Sequence, residues 1–180
     1  MAIETVFTHQ PTQAQDELFE AFSTRHWGAR FHEDDASQDF FDFPDLIAEL
    51  FVDSTLVAGL VIFLRHLEYR GQTYSFAGIG GVVTHQNYRH HGYATRLLQD
   101  ALREISSRCD FALLCTDIPR LGPLYGGVGF VPLGRPYYFI DKNGLKKPEP
   151  SGMIAPLSSP DVVKLILSTP DEIFVGTSNF

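Results

Sequence analysis

The chain has 180 residues, 44% apolar and 20% charged, the composition of one globular domain with a sizeable core. Lys and Arg number 14 against 22 Asp and Glu, a formal charge of −8, and without clustered basic residues nucleic acid is excluded as the main partner. No apolar run approaches the roughly 18 residues of a membrane span, and no basic stretch leads into an apolar segment at the start, so neither a membrane partner nor a secretory signal is expected.

In chain order, residues 3–8 read as a strand and residues 12 to about 25 as a helix. Thr12 is its N-cap, and Leu18, Phe19 and Phe22 share one face. Residues 31–46 are acidic, aromatic and irregular, with Glu33, Asp34, Asp35, Asp39, Asp42 and Asp45 among them. Strands follow at 47–52, 56–66 and 73–84, separated by turns at Asp53-Ser54 and Tyr69-Arg70-Gly71, which favours an antiparallel meander. The pair Gly80-Gly81 suits a β-bulge in the third of these strands. Residues 92–107 are the clearest helix. Tyr93, Leu97, Ala101 and Ile105 recur at steps of four, with Leu98 and Leu102 beside them and Arg96, Asp100, Arg103 and Glu104 outward. Residues 111–115 form a continuous apolar run, as expected of a strand covered on both faces. Meander strand, helix and this strand make a βαβ unit with a right-handed crossover. Beyond it, Pro119, Gly122, Pro123, Gly126 and Gly127 keep any helix around Leu124-Tyr125 short. Strands are expected at 130–133 and 137–140, a turn at Asp141-Lys142-Asn143-Gly144, a helix opened by Ser159-Pro160-Asp161, and a last strand at 173–175. The fold class is α/β: a mixed, mostly antiparallel sheet with helices on both faces, in a single domain over 1–180.

Cys109 and Cys115 flank the apolar strand, about 20 Å apart if it is extended, whereas a disulfide needs Cα atoms within about 7 Å. Reduced thiols and a cytoplasmic location follow as expectations.

Chemistry concentrates at the strand–loop–helix junction between Gly81 and Leu98. An apolar strand ends at Thr84, and a helix opens at Arg89-His90-His91-Gly92-Tyr93-Ala94. Backbone N–H groups from His91 to Thr95 converge there, the helix dipole adds partial positive charge, and Arg89 adds a cation: an anion cradle. Gly92 and Ala94 leave room for a phosphate to approach the backbone. His85, His90 and His91 match no metal-ligand spacing, and no metal is expected.

The pattern Arg89-x-x-Gly92-x-Ala94 in this setting resembles the acyl-CoA pyrophosphate loop of the GCN5-related N-acetyltransferases. The segment Tyr125-x-x-x-Gly129-Phe130 resembles a further family motif, and the element order is similar to the family fold. The resemblance implies acetyl-CoA as co-substrate, bound by Arg89, His90, His91, Gly92, Tyr93, Ala94 and Thr95. It also implies that the strand at Val82 and Val83 receives the pantetheine arm, with the Val82 N–H polarising the thioester carbonyl, and that Tyr125 protonates the departing thiolate. For the base that deprotonates the acceptor, Asp117, His85 and water all stand, with Asp117 past the end of a parallel strand. Within the family the chain is most similar to the aminoglycoside 2′-N-acetyltransferases, through Tyr69-Arg70-Gly71 and a tail of the type Met-Ile-x-Pro-Leu…Asp-Glu-Ile-Phe. Two departures stand out: the subfamily's acidic residue on the meander strand is Gly80 here, and its terminal tryptophan is replaced by Asn179-Phe180. The acidic stretch from Glu33 to Asp45 would attract a cationic, aminoglycoside-like or polyamine-like amine. The expected function is direct acetyl transfer from acetyl-CoA to a primary amine of a small molecule in a ternary complex, in a chain compatible with a homodimer. The alternative is a non-catalytic CoA-sensing or partner-binding module on the same fold.

Overall fold

Period-two patterning builds the sheet, and two tight turns set its register. The computed structural model describes residues 2–27 and 39–180. After β1 (Ile3–His9) and α1 (Gln13–Trp27), the meander runs through β2 (Leu46–Val52), β3 (Thr55–Tyr69) and β4 (Gln72–Thr84). Its two connections are two residues long. Asp53 and Ser54 have φ of 46° and 67°, and Arg70 and Gly71 have φ of 51° and 77°. Left-handed backbone at both central positions is the type I′ geometry whose twist matches antiparallel strands.

The chain continues through α2 (Tyr93–Ile105), β5 (Phe111–Cys115), α3 (Ile118–Gly126), β6 (Val131–Pro132) and β7 (Tyr137–Ile140). It closes with β8 (Lys146–Glu149), β9 (Gly152–Pro156), α4 (Pro160–Ser168) and β10 (Phe174–Thr177). Seven strands form one sheet in the order β1-β2-β3-β4-β5-β9-β6, and β10-β7-β8 form a second. In the large sheet β4 and β5 are parallel, joined through α2, and the other pairings are antiparallel. The α/β reading with a mostly antiparallel sheet therefore holds.

The sheet separates the core into layers. On one face, Ala48, Leu50, Leu60, Ile62, Ala77 and Ile79 pack against Leu97, Leu98, Ala101 and Ile105 of α2, and Tyr125 of α3 joins the same layer. On the other face, Phe63, Phe76, Phe111 and Leu113 pack against Val163 and Ile166 of α4 and against Tyr137, Val175 and Phe180. Phe19 of α1 lies on Ile47 and Val83.

Three expectations need correction. Leu18 is 73% exposed; it is one residue from buried Phe19, and a 100° step carries it off the packed face. Residues 146–149 and 152–156 are strands that the sequence reading left out, because Pro148, Pro150, Gly152 and Pro156 read as punctuation. The strand expected at 130–133 shrinks to Val131–Pro132, since β9 rather than β6 pairs with β5. No helix among the described residues is long and apolar enough to cross a membrane.

Candidate active site

The parallel rungs between β4 and β5 are Phe76–Phe111, Ala77–Ala112 and Gly78–Leu113, and they stop there. Past Gly78 the two strands part. The cause lies on the other edge of β4: Val61 pairs with Gly80 and Gly59 with Val83, so Gly81 and Val82 stand opposite Leu60 alone. Gly81 adopts φ 61°. A left-handed glycine opening a two-against-one step is the bulge expected at Gly80-Gly81, and it bends the strand away from its neighbour. Val82 is half-buried against the α2 layer, and Val83 is buried against Phe19 and Ile47.

β4 ends at Thr84, and a single 3-10 turn (Gln86–Tyr88) leads to α2. Gly92 is the N-cap, with φ 78°, no side chain caps the helix, and its first turn holds no acidic residue. The first backbone bond runs from Arg96 N to Gly92 O. The N–H groups of Tyr93, Ala94 and Thr95 therefore point out of the helix end without a capping partner. A Cβ added at Gly92 would meet no atom within 4 Å. The chain itself needs glycine there for its left-handed backbone, and the space in front is open to an anion such as a pyrophosphate.

The neighbouring residues divide their tasks. Arg89 donates to the His26 carbonyl through Nη2 and to Thr84 O through Nε at 3.4 Å. Its guanidinium ties the end of α1 to the end of β4 as well as placing charge beside the loop. His91 Nδ1 lies 2.7 Å from Arg89 O, and its ring stacks on Tyr93 at 5.8 Å. His90 is exposed with φ 63°. The His85 ring sits 4.1 Å from that of His26 and accepts from Asn87 N, so the three histidines face separate surroundings.

Tyr125 sits in the α2 layer at 6% exposure. Burial pushes its hydroxyl up to about 12, with nearby Thr116 pulling it down and nearby Cys115 adding to the rise. At neutral pH it holds its proton. Burial likewise pushes the Cys109 thiol up to about 11 and the Cys115 thiol to about 12. Neither cysteine is poised as a nucleophile, because the thiolate is the reactive form. Asp117 occupies the N-cap position of α3 without a capping bond from its side chain; it is exposed, with its Oδ2 at 3.3 Å from Arg120 Nε. It faces solvent and a cation.

On the opposite face lies a group that sequence reasoning missed. Phe180 is 4% exposed, stacks on Tyr137 at 5.6 Å, and crosses β4 at Gly78 and Gly80. A Cβ at Gly78 would come within 2.6 Å of the Phe180 ring, and one at Gly80 within 2.6 Å of the Phe180 backbone carbon. Glycine at 80, where the aminoglycoside subfamily carries an acid, is thus what the tail's path demands. The signal in the sequence was the period: Gly78 and Gly80 point to one face of a strand, so something must lie close against that face.

Of the acidic stretch, Glu33, Asp34 and Asp35 lie outside the described residues. Asp39 binds Lys147 Nζ at 2.8 Å, Asp42 binds Arg65 Nη2 at 3.0 Å, and Asp45 accepts from Leu64 N at 2.7 Å. These three carboxylates hold the loop to the body of the domain.

The acetyltransferase (GNAT) domain family model matches residues 2–132. Among solved structures, Escherichia coli ElaA is 16% identical, over 86% of this chain and 99% of that one, with a TM-score of 0.60. A putative N-acetyltransferase from Lactobacillus plantarum is 20% identical, over 87% and 99%, with a TM-score of 0.59. A GCN5-related N-acetyltransferase from Anabaena variabilis is 21% identical over 71% of this chain, with a TM-score of 0.52, and this chain spans 32% of that longer protein. At such identities the likeness shows the fold. No curated protein matches the chain in sequence.

Proposed function

The chain belongs to the GNAT acetyltransferase family, whose members are acetyl-CoA-dependent N-acetyltransferases, and we propose that it moves the acetyl group of acetyl-CoA to a primary amine by direct attack. The observation that carries the reading is the conjunction of an uncapped α2 start with the β4–β5 splay that leads into it. In this reading the backbone N–H groups of His91 to Thr95 receive the pyrophosphate, with Arg89, His90 and Gly92 shaping the loop. The edge of β4 at Val82 and Val83 receives the pantetheine arm as an added strand, and the Val82 N–H faces the thioester carbonyl. Tyr125 supplies the proton to the departing thiolate. The raised thiol values of Cys109 and Cys115 favour direct transfer over a covalent cysteine intermediate.

The acceptor is a small-molecule amine. An aminoglycoside-like or polyamine-like acceptor draws support from the net charge of −8 and from Glu33, Asp34 and Asp35. It draws none from Asp39, Asp42 and Asp45, which already have partners, and neither the family match nor the structural neighbours point to the aminoglycoside subtype. Two unpaired thiols suit the cytoplasm.

Ala94→Glu tests the site, because it sets a carboxylate among the first-turn N–H groups of α2. Calorimetry should show acetyl-CoA binding by the wild type and none by the variant, while circular dichroism shows the variant folded. Unchanged acetyl-CoA affinity in the folded variant overturns the assignment.

A further inference from the structure

The end of β5 is approached from both faces of the sheet. Tyr125 approaches from the α2 layer, and Thr116 lies close enough to its hydroxyl to act on its proton. Glu149 of β8 approaches from the other. It is the cross-strand partner of buried Tyr137, so the two side chains leave the same face of the small sheet. Its Oε1 accepts from Ser151 N at 2.8 Å and from the Ser151 hydroxyl. The Ser151 carbonyl in turn accepts from Thr116 N at 3.2 Å. Its Oε2 lies 3.5 Å from Asn179 Nδ2. Asn179 takes the Tyr137 hydroxyl on Oδ1 at 2.5 Å and sets Nδ2 3.8 Å from Cys115 Sγ. Glu149, through Asn179, and Tyr125 thus reach adjacent residues, Cys115 and Thr116, where β5 has parted from β4.

Glu149 also differs from the other carboxylates nearby. Asp39, Asp42, Asp117 and Asp141 each bind a Lys or Arg. Among the described residues Glu149 forms no ion pair, and Oε2 has one distant amide as its neighbour. Its charge is felt at both Cys115 and Tyr137. It lies beyond the family-matched residues 2–132, in the tail that crosses the sheet.

We propose that Glu149 receives the acceptor's ammonium group and takes its proton; this rests on the acetyl-transfer reading. One N–H proton passes to Glu149 Oε2 and the nitrogen lone pair is freed. The nitrogen attacks the thioester carbon, the C–N bond forms, and the carbonyl π pair moves to oxygen. Collapse breaks the C–S bond, the electron pair leaves on sulfur, and sulfur takes the Tyr125 proton. The second nitrogen proton restores Tyr125 through water, and Glu149 releases the first to solvent. The products are the amide, CoA thiol and one proton.

The test uses the full chain, with thiol release from acetyl-CoA over a panel of spermidine, kanamycin and an alanine-ended peptide. The best of these amines is then carried into pH profiles and into calorimetry on the CoA complex. Glu149→Gln, which keeps the shape and the bond to Ser151, should lower kcat by about 10²–10⁴-fold, the range for general base catalysis. It should also abolish the acidic limb of the profile and leave acetyl-CoA affinity intact. Amine affinity in the CoA complex should fall about tenfold or more, as when a charge-assisted hydrogen bond is lost. Glu149→Asp should restore the limb and part of the rate, which a purely structural role would not do. Full activity of Glu149→Gln, an unchanged acidic limb, or loss of that limb in Asp117→Asn instead overturns the proposal. A wild type that binds acetyl-CoA yet releases no thiol with any amine of the panel overturns the transfer reading, and this proposal with it. An active wild type with an active Glu149→Gln removes Glu149 alone.

Discussion

Alanine at Gly78 probes how the tail packs across β4. The new Cβ would stand 2.6 Å from both Cγ and Cδ1 of Phe180 and 3.1 Å from its Cβ. Because Cγ is the root of the ring, no rotation about χ2 relieves the overlap. Nor can the ring slide freely, since it stacks on Tyr137 at an interplanar angle of 16° and meets Phe76 edge-on at 6.2 Å. Overpacking of this kind costs about 1–3 kcal/mol, and at about 2–4 °C per kcal/mol for a chain of this size the melting temperature should fall by about 2–12 °C. Phe180→Ala alone vacates a buried ring site and should cost about 3–5 kcal/mol. In the double variant the two 2.6 Å overlaps with the ring are gone and only the 3.1 Å approach to the retained Cβ at 180 is left, so Gly78→Ala should cost far less beside Phe180→Ala than alone, a coupling of about 1–3 kcal/mol. Gly80→Ala is the contrast, because its Cβ would strike the Phe180 backbone carbon at 2.6 Å, and Phe180→Ala cannot relieve that. Urea denaturation of the single and double variants reads the free energies, and thermal denaturation reads the shift in melting temperature. Additivity within about 0.5 kcal/mol for the Gly78–Phe180 pair would refute the placement of the ring.

Tyr125→Phe keeps the ring's edge contact with Phe130 and removes the proton. It should lower kcat by about 10²–10⁴-fold with acetyl-CoA affinity unchanged, and a fully active variant under rate-limiting chemistry would exclude the hydroxyl. Asp110 joins the start of β5 to β4 and α4: it accepts from Ser75 N at 2.8 Å, Ser75 Oγ at 3.0 Å and Ser159 Oγ at 2.6 Å. Burial raises its pKa, but these bonds outweigh burial and hold the carboxyl below its ordinary value. The stability it contributes is therefore present above the unfolded carboxyl value of about 3.9 and is lost as pH falls through the lower folded value. Asp110→Asn should melt lower than the wild type at pH 7, with the gap closing toward pH 3. A gap that does not change with pH would refute the linkage.

The half of the chain up to β5 was legible because its signals are local. Leu97, Ala101 and Ile105 recur at the helical step, the two left-handed hairpin turns announce themselves as Asp-Ser and Arg-Gly, and the glycine pair marks the bulge. The tail was illegible for the opposite reason. β9 is five residues long, bounded by Gly152 and Pro156, and becomes a strand only by wedging between β5 and β6, a pairing that no local pattern encodes. Arg89 was legible as a cation of the loop, but its bonds to His26 and Thr84 depend on where α1 ends. Glu149 carried no signal, being one charge on a short strand flanked by prolines. Its meaning comes from Tyr137 across the ladder and Asn179 thirty residues on.

Gly80 bears on the choice between an enzyme and a module that only senses CoA. Read in sequence, the missing acid suggests lost turnover. In the fold, the Phe180 backbone occupies the volume that any side chain at 80 would need, so a carboxylate there and this tail exclude each other. The tail that displaces the acid also brings Asn179 and, through it, Glu149 to Cys115 on the same face. A proton taken from an amine on that face would then leave through β8 rather than β4. Loss of the acid at 80 therefore gives no weight to a non-catalytic module.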